Sequence, residues 1–498
     1  MFHLLARSAA FGFAGLALAA TPADWQTRSI YQLLTDRFAR TDGSTTAACD
    51  PATAGYCGGT WQGIIDQLDY IQGMGFDAVW ISPVTEQIDD PTRAYHGYSQ
   101  QNLYNVNTNF GSYEDLQSLA AALHDKNMYL MVDVVANHFG YNGDITSTPL
   151  DYSTMTPFNT ASYFHPICWI DNDYSNQTIV EICWLGSEKD PLPDVYTTLP
   201  EVRATYSNWI QGLIANYSVD GLRIDSVTNV EPDFWSVFQK AAGIYAVGEV
   251  SDSDVALACP YQDDIDGLLN YPMYYQLTPF FESSSTTPDN LVAQIAYLNS
   301  LCTDYTLLAP FSENHDQPRF PSLNPDMSLA ENVIAFTLLF DGIPIIYSGQ
   351  EQHLDGGVSP LDREAIWLTG YDTSATLYGV IAQLNAIRKF AISQDSNGSY
   401  VVYQAIVNYY DSNNVVIRKG YTGHQIVAVY NNFGSGKAEY TLSLTGTQYD
   451  ASSTVMEILS CTEVTIGSDG TLTATVKTGL PLVYYPLSAL SGSGICGQ

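Results

Sequence analysis

The chain has 498 residues and is 46% hydrophobic, enough for two or three domains with large cores. Its 53 acidic residues face only 18 basic ones, a formal net charge of −35 at pH 7. Such a surface argues strongly against nucleic acid or an anionic membrane as partner and leaves a neutral ligand unopposed.

The N-terminus carries a positive charge at Arg7, a short apolar run from Ala9 to Leu18, and small residues at Ala17-Leu18-Ala19. That pattern predicts a secretory signal peptide over 1–19 and hence a secreted, extracellular protein. No later segment is apolar enough for a membrane helix, and the Ser-Gly-rich end lacks the hydrophobic tail of a lipid anchor. Strands are predicted at 29–34, 78–81, 129–135, 221–224, 245–247, 307–311 and 343–347. Several are unbroken apolar runs, as suits parallel strands covered on both faces. Helical patterns lie between them at 113–124, 204–216, 291–301 and 327–340. This β/α alternation implies a doubly wound sheet or a (β/α)8 barrel.

Two stretches break the alternation. From 138 to 195 the chain is rich in Asp, Asn, Tyr and Pro and holds a cysteine pair, too long for an ordinary loop. It reads as a small inserted domain within a catalytic unit of 20–137 and 196–396. From 397 to 498 short strands at 415–418, 425–430, 440–443 and 480–485 alternate with Gly, Asn and Ser turns, as in an antiparallel β-sandwich. Eight cysteines in a secreted chain suggest up to four disulfides. Pairing of neighbours is the simplest arrangement: Cys49 with Cys57, Cys168 with Cys183, Cys259 with Cys302, and Cys461 with Cys496. Sequence alone does not fix that pairing. Sequons at Asn176, Asn216 and Asn397 agree with passage through a secretory pathway.

Three acids stand where predicted strands end: Asp225 after Gly221-Leu222-Arg223-Ile224, Glu249 after Val247-Gly248, and Asp316 in Glu313-Asn314-His315-Asp316. In a (β/α)8 barrel, side chains at the carboxyl ends of strands converge on one mouth. Converging carboxylates serve glycoside hydrolysis: one attacks the anomeric carbon, and another protonates the leaving oxygen and then activates water. Taken singly, each acid is more often a helix cap or a solvated loop residue.

With Asp133-Val134-Val135-Ala136-Asn137-His138 and Leu192-Pro193-Asp194, these motifs resemble the α-amylase family of glycoside hydrolases, its secreted fungal members above all. The likeness covers nearly the whole mature chain. It implies an α/β fold: a (β/α)8 TIM barrel, a small domain inserted after strand 3 and a C-terminal antiparallel β-sandwich. It implies Asp225 as nucleophile, Glu249 as acid/base and Asp316 as a holder of sugar hydroxyls. His138, His315, Arg223, Tyr98 and Arg363 are implied as substrate-site residues, Tyr98 by stacking on the sugar. A calcium ion is implied between barrel and inserted domain, held by the side chains of Asn137 and Asp194 and the carbonyls of Glu181 and Asn229, a set of hard oxygen donors.

The pattern departs from the family's at Ser99, where Trp is common, at Thr228, where Lys is common, at Asn229 for His and at Ser359 for Asp. These changes are expected to weaken subsites away from the reaction centre. The implied activity is retaining endo-hydrolysis of α-1,4-glucan, with a monomer as the default. The alternatives are an α-glucanotransferase and an inactive glucan-binding protein. The complete set of acids disfavours the last, and the loss of Lys at Thr228 mildly disfavours the transferase.

Overall fold

The computed structural model describes residues 20–498 except 54, 171–173 and 395–398. The signal-peptide segment, the sequon at Asn397 and the domain boundary expected at 396–397 lie outside the described residues. Seven parallel strands form the central sheet: β1 (Ile30–Gln32), β2 (Ala78–Ile81), β3 (Tyr129–Val134), β4 (Gly221–Ile224), β5 (Tyr245–Gly248), β6 (Gly267–Leu268) and β7 (Ile345–Tyr347). Their order is β6-β5-β4-β3-β2-β1-β7. The open edges are joined by 308–311. Ala309 N–H donates to Leu268 O at 2.8 Å on one side, and Ile343 and Ile345 N–H donate to the carbonyls of Leu308 and Pro310 at 2.9 Å on the other. The chain therefore closes into the eight-position barrel expected from sequence. The strand expected over 307–311 survives as a single bridge between Leu269 and Ala309, because Pro310 has no N–H to give a ladder. β6 has two residues, too few for any periodic signal, and no sequence pattern announces it.

Period-two alternation decides which side chains reach the barrel axis. Ala78, Trp80, Met131, Tyr245 and Val247 pack inward, while Val79, Ile81, Leu130, Val132, Leu222, Ile224 and Ala246 join the layer under the helices. Asp133, Arg223 and Val247 lie side by side in register across β3, β4 and β5. Asp225 and Glu249, two residues beyond Arg223 and Val247, keep the inward phase at the mouth. Helices fill the layer outside. The one over Tyr113–Asp125 shows why they start where they do: Ser112 and Asp115 form a capping box, and Leu116, Leu119, Ala120 and Leu123 make the buried stripe.

Between β3 and the helix Pro200–Tyr217, the described residues of 138–195 contain little regular structure: a hairpin of Leu185–Gly186 with Pro191–Leu192, a helix Gln177–Ile182 and two short 3-10 turns. Bridges from His138 to Asp194 and from Phe164 to Val195 hold the segment together, and a bridge from Asn102 to Thr156 with the Val195 N–H bond to the Asn137 carbonyl at 2.9 Å ties it to the barrel unit.

The C-terminal strands are β8 (Ile406–Tyr410), β9 (Asn414–Lys419), β10 (Ile426–Asn431), β11 (Tyr440–Leu444), β12 (Thr454–Glu457), β13 (Thr462–Thr465), β14 (Leu472–Val476) and β15 (Leu482–Pro486). They form an antiparallel sheet of order β8-β9-β10-β15-β12-β13 and a β11-β14 pair. Val416, Val427, Val429, Leu442, Leu472 and Val455 pack between these layers. The alternate residues Val415, Ile417, Ala428, Tyr430, Val483 and Tyr485 belong to the same core as the barrel helices. Polar side chains cross that seam. Asn432 Nδ2 donates to the carbonyls of Phe280, Ser283 and Thr286 at 2.8–3.0 Å, and Lys419 pairs with buried Asp341. The four disulfides join neighbouring cysteines, Cys49–Cys57, Cys168–Cys183, Cys259–Cys302 and Cys461–Cys496.

Candidate active site

The mouth of the barrel is organised around one guanidinium. Arg223, 1% exposed, places Nη1 at 3.0 Å from Asp133 Oδ1 and 2.8 Å from Asp225 Oδ1, and Nη2 at 2.9 Å from Glu249 Oε2. A planar fork with several donors suits this geometry; a point-like ammonium does not. Asp133 is also held by Tyr98 Oη at 2.7 Å and Trp80 Nε1 at 3.1 Å. It opens the Asp133–His138 motif, yet the motif alone does not reveal this role. The residue after Asp225 is strained. Ser226 has φ 51° and ψ 44°, a left-handed conformation that costs a non-glycine residue roughly 1–2 kcal/mol. The turn aims Ser226 N–H at Glu249 Oε2 (3.0 Å) and Ser226 Oγ at Asp225 Oδ2 (2.7 Å), so one bent residue grips both acids.

Glu249 is pushed up to about 7, mainly by burial, with the charges of Asp225 and Asp316 adding and Arg223 opposing. Burial likewise lifts Asp133 to about 7 against the pull of Arg223. Asp316 behaves differently. Burial works to raise it, but His315, Arg363 and Arg223 outweigh that and hold it below the usual carboxylate range. Its Oδ1 meets Arg363 Nη2 at 3.0 Å and its Oδ2 meets His315 Nε2 at 3.1 Å. With a side chain 38% exposed, it is the most open of the three acids.

His315 is fixed from both sides. Gln32 Nε2 meets its Nδ1 at 2.7 Å, and Tyr98 stacks on its ring at 5.3 Å and 8°. Burial lowers it to about 4. One Tyr98 face is thus occupied by histidine, and Gly97 at φ 93° makes the turn that carries Tyr98 in, where a Cβ would lie 2.9 Å from Pro83. His138 Nε2 lies 3.1 Å from the Tyr98 carbonyl, and burial lowers this histidine too. Every residue named from sequence for catalysis or sugar binding therefore falls in one connected network. Sequence reasoning misses Trp80, Tyr271 and Gln32. Tyr271 Oη reaches Glu249 Oε1 at 3.4 Å and receives Asn314 Nδ2 at 2.9 Å. These residues sit in or beside apolar runs and read from sequence as core.

Two departures from the family pattern fare differently. Thr228 lines a cleft of about 360 Å³ with Tyr174, Gln177, Leu185, Glu249 and Asp252. Ser99 does not face that cleft. It is 3% exposed, its N–H donates to Gln87 Oε1 at 2.8 Å, and it packs against Gly140. The expectation that the change at Ser99 weakens a peripheral subsite finds no support in this buried placement.

Three of the residues named for calcium, Asn137, Asp194 and Asn229, also gather. One terminal atom of the Asn137 amide lies 3.0 Å from the Asn229 carbonyl and 2.9 Å from Asp194 Oδ2. With nitrogen there, the amide donates to both; with oxygen there, three oxygens converge, an arrangement that a hard cation stabilises. Glu181 lies on the helix Gln177–Ile182, one residue past Val180, whose carbonyl accepts from Asn229 Nδ2 at 3.3 Å. The set named from sequence mixes a carboxylate, an amide and backbone carbonyls, and among the described residues no three His, Cys, Asp or Glu side chains cluster as ligands.

Inward carboxylates gripped by one arginine at the mouth of a (β/α)8 barrel, one of them shifted to about 7, define the equipment of a glycoside hydrolase. Residues 32–375 match the family model described as alpha amylase, catalytic domain, and 407–498 match alpha-amylase, domain C. Alpha-amylase 1 of Lipomyces kononenkoae is 54% identical over 96% of this chain and 76% of its own. Alpha-amylase 1 of Schwanniomyces occidentalis is 49% identical over 95% and 92%. The solved structure of an alpha-amylase from Malbranchea cinnamomea superposes with a TM-score of 0.92 at 48% identity, covering 96% of this chain and all of that one. The chain belongs to the α-amylase family.

Proposed function

We propose that this enzyme hydrolyses internal α-1,4-glucosidic bonds of starch and related glucans with retention, Asp225 acting as nucleophile and Glu249 as acid/base. The hydrolase activity itself follows from the family and from relatives named alpha-amylase at up to 54% identity over nearly the whole chain. The observation that carries the residue roles is the Arg223 fork, which holds Asp225 and Glu249 on adjacent nitrogens while burial keeps Glu249 near 7.

Asp225, held by the guanidinium, attacks the anomeric carbon. Glu249, protonated below about pH 7, gives its proton to the departing oxygen, and as a carboxylate then takes one from water in the second step. Asp316, charged and open, accepts sugar hydroxyls, with Arg363 and His315 fixing its two oxygens. His138 belongs to the same sugar-binding network, its Nε2 held 3.1 Å from the Tyr98 carbonyl.

Calcium is part of this reading. Asn137, Asp194 and the carbonyls of Asn229 and Glu181 would hold it, and its contribution would be to fix the backbone that presents His138. The enzyme is secreted. Its four disulfides suit an oxidising compartment, and no helix among the described residues is long and apolar enough to cross a membrane. Reducing-sugar release from soluble starch, read beside product size, tests the function. Early accumulation of mixed oligosaccharides supports endo-hydrolysis, disproportionation without net reducing ends indicates a transferase, and no release with retained binding overturns both.

A further inference from the structure

The cleft beside Glu249 has a sequon on its rim. Asn176-Gln177-Thr178 opens the helix Gln177–Ile182, with Asn176 at the N-cap. An N-cap asparagine ordinarily spends its side-chain oxygen on the amide two or three residues on. Asn176 makes no such bond; its main-chain carbonyl accepts from Ile179 and Val180 N–H, and its side chain is exposed. Gln177 Nε2 donates to the Thr228 carbonyl at 2.8 Å and meets Tyr261 Oη at 3.3 Å, which anchors the sequon to the cleft wall. The same cleft of about 360 Å³ is lined by Tyr174, Gln177, Thr228 and Glu249.

We propose that Asn176 carries an N-linked glycan that stands over the side of the cleft bounded by Thr228 and restricts it to slender, unbranched stretches of glucan. In the transfer, Asn176 Nδ2 bonds to the anomeric carbon of a lipid-diphosphate-linked oligosaccharide. The carbon–oxygen bond to the diphosphate breaks, and the amide loses one proton. The glycan is an obstacle at the entrance and no part of the catalytic set, so its effect grows with the bulk of the substrate. The inference rests on Glu249 being the acid/base, because that makes this cleft an arm of the substrate groove. The sequon at Asn216 supplies a control. It sits at the far end of the helix Pro200–Tyr217, which runs back from the mouth, so a glycan there stands at the opposite end of the barrel.

The test uses the full chain secreted from a host that adds N-glycans. Enzymatic deglycosylation in heavy-oxygen water, followed by peptide mass mapping, reports occupancy as labelled aspartate at the sequon position. The ratio of kcat/KM on amylopectin to that on a linear maltooligosaccharide is then compared for parent, deglycosylated parent, Asn176→Gln, Thr178→Ala and Asn216→Gln. The proposal expects an occupied site and a rise of roughly twofold or more in that ratio for the three forms without a glycan at Asn176, through faster association, with Asn216→Gln unmoved. An unmodified Asn176 overturns it, and so does an unchanged ratio after removal. A change confined to Asn176→Gln also overturns it, because the effect then belongs to the asparagine. Parent protein inactive on every glucan would strike at the proposed function instead.

Discussion

Replacing Arg223 by lysine keeps a positive charge at the mouth but removes the fork. While 1% exposed, the guanidinium reaches three different carboxylates at 2.8, 2.9 and 3.0 Å. An ammonium on a flexible stem cannot hold all three at once. A hydrogen bond to a charged group contributes about 1.5–3 kcal/mol. Removing one such bond where the transition state needs it should therefore lower kcat/KM by about 10–150-fold at 1.36 kcal/mol per decade. The second readout is pH. Arg223 pulls Glu249 downward, so Arg223→Met, which deletes the charge, should move the alkaline limb of the rate profile to higher pH, and Arg223→Lys should move it much less. The assay is kcat/KM on soluble starch from about pH 4 to 9, wide enough to bracket the acid/base limb, with urea unfolding to separate activity from stability. A lysine variant within about threefold of the parent, with the limb in place for both variants, would refute the idea that the fork positions these acids.

Glu249→Gln should reduce kcat by about 10²–10⁴-fold, since positioned proton transfer alone contributes that much, and Asp225→Asn by at least about as much because it removes the nucleophile, both with little change in Tm; near-parent turnover in either variant sinks the assignment. Parent kcat/KM should fall as pH rises through about 7, because a general acid works protonated and Glu249 loses its proton there; a profile that stays flat well into the alkaline range contradicts this. Exhaustive chelation should lower Tm and activity together, a ligand at about a hundred times its Kd contributing about 2.7 kcal/mol to stability. An unmoved Tm would remove calcium from the cluster around Asn137 and Asp194. Thr228→Lys should raise kcat/KM on short maltooligosaccharides several-fold by adding a charge-assisted hydrogen bond in the cleft. Ser99→Trp should instead destabilise the protein by about 1–3 kcal/mol through overpacking, and better use of short chains by that variant would contradict the buried placement of Ser99.

The sequence is most legible where one physical signal dominates. Ala78–Ile81 and Gly221–Ile224 are four-residue strands buried along their whole length, and their bounds agree with the reading from sequence. The helix at Tyr113–Asp125 announces itself by its apolar stripe. Segment 308–311 and β6 are hard for the opposite reason. Proline removes ladder donors from the first, and the second is held by its neighbours more than by its own two residues. At the mouth, motif order points to Asp225, Glu249 and Asp316, and alternation along β4 and β5 explains why the first two meet. The same alternation brings Asp133 onto Arg223, but a charge inside an apolar run does not reveal its partner across a sheet. Ser99 misleads because a substitution against a family pattern says nothing about which way the side chain points.

The position of β15 in its sheet has a consequence for how the protein is made. This strand lies between β10 and β12, so Leu482–Pro486 joins two halves of a sheet whose other strands were all translated earlier. A polypeptide ending before residue 482 would leave β10 and β12 without their shared neighbour and uncover the face formed by Val415, Ile417 and Tyr430 against the barrel helices. A ribosome that falls off early therefore releases no working shorter enzyme, only a sticky chain with an unpaired edge. Attempts to trim this protein from its C-terminal side should lose yield well before they reach any residue that touches sugar.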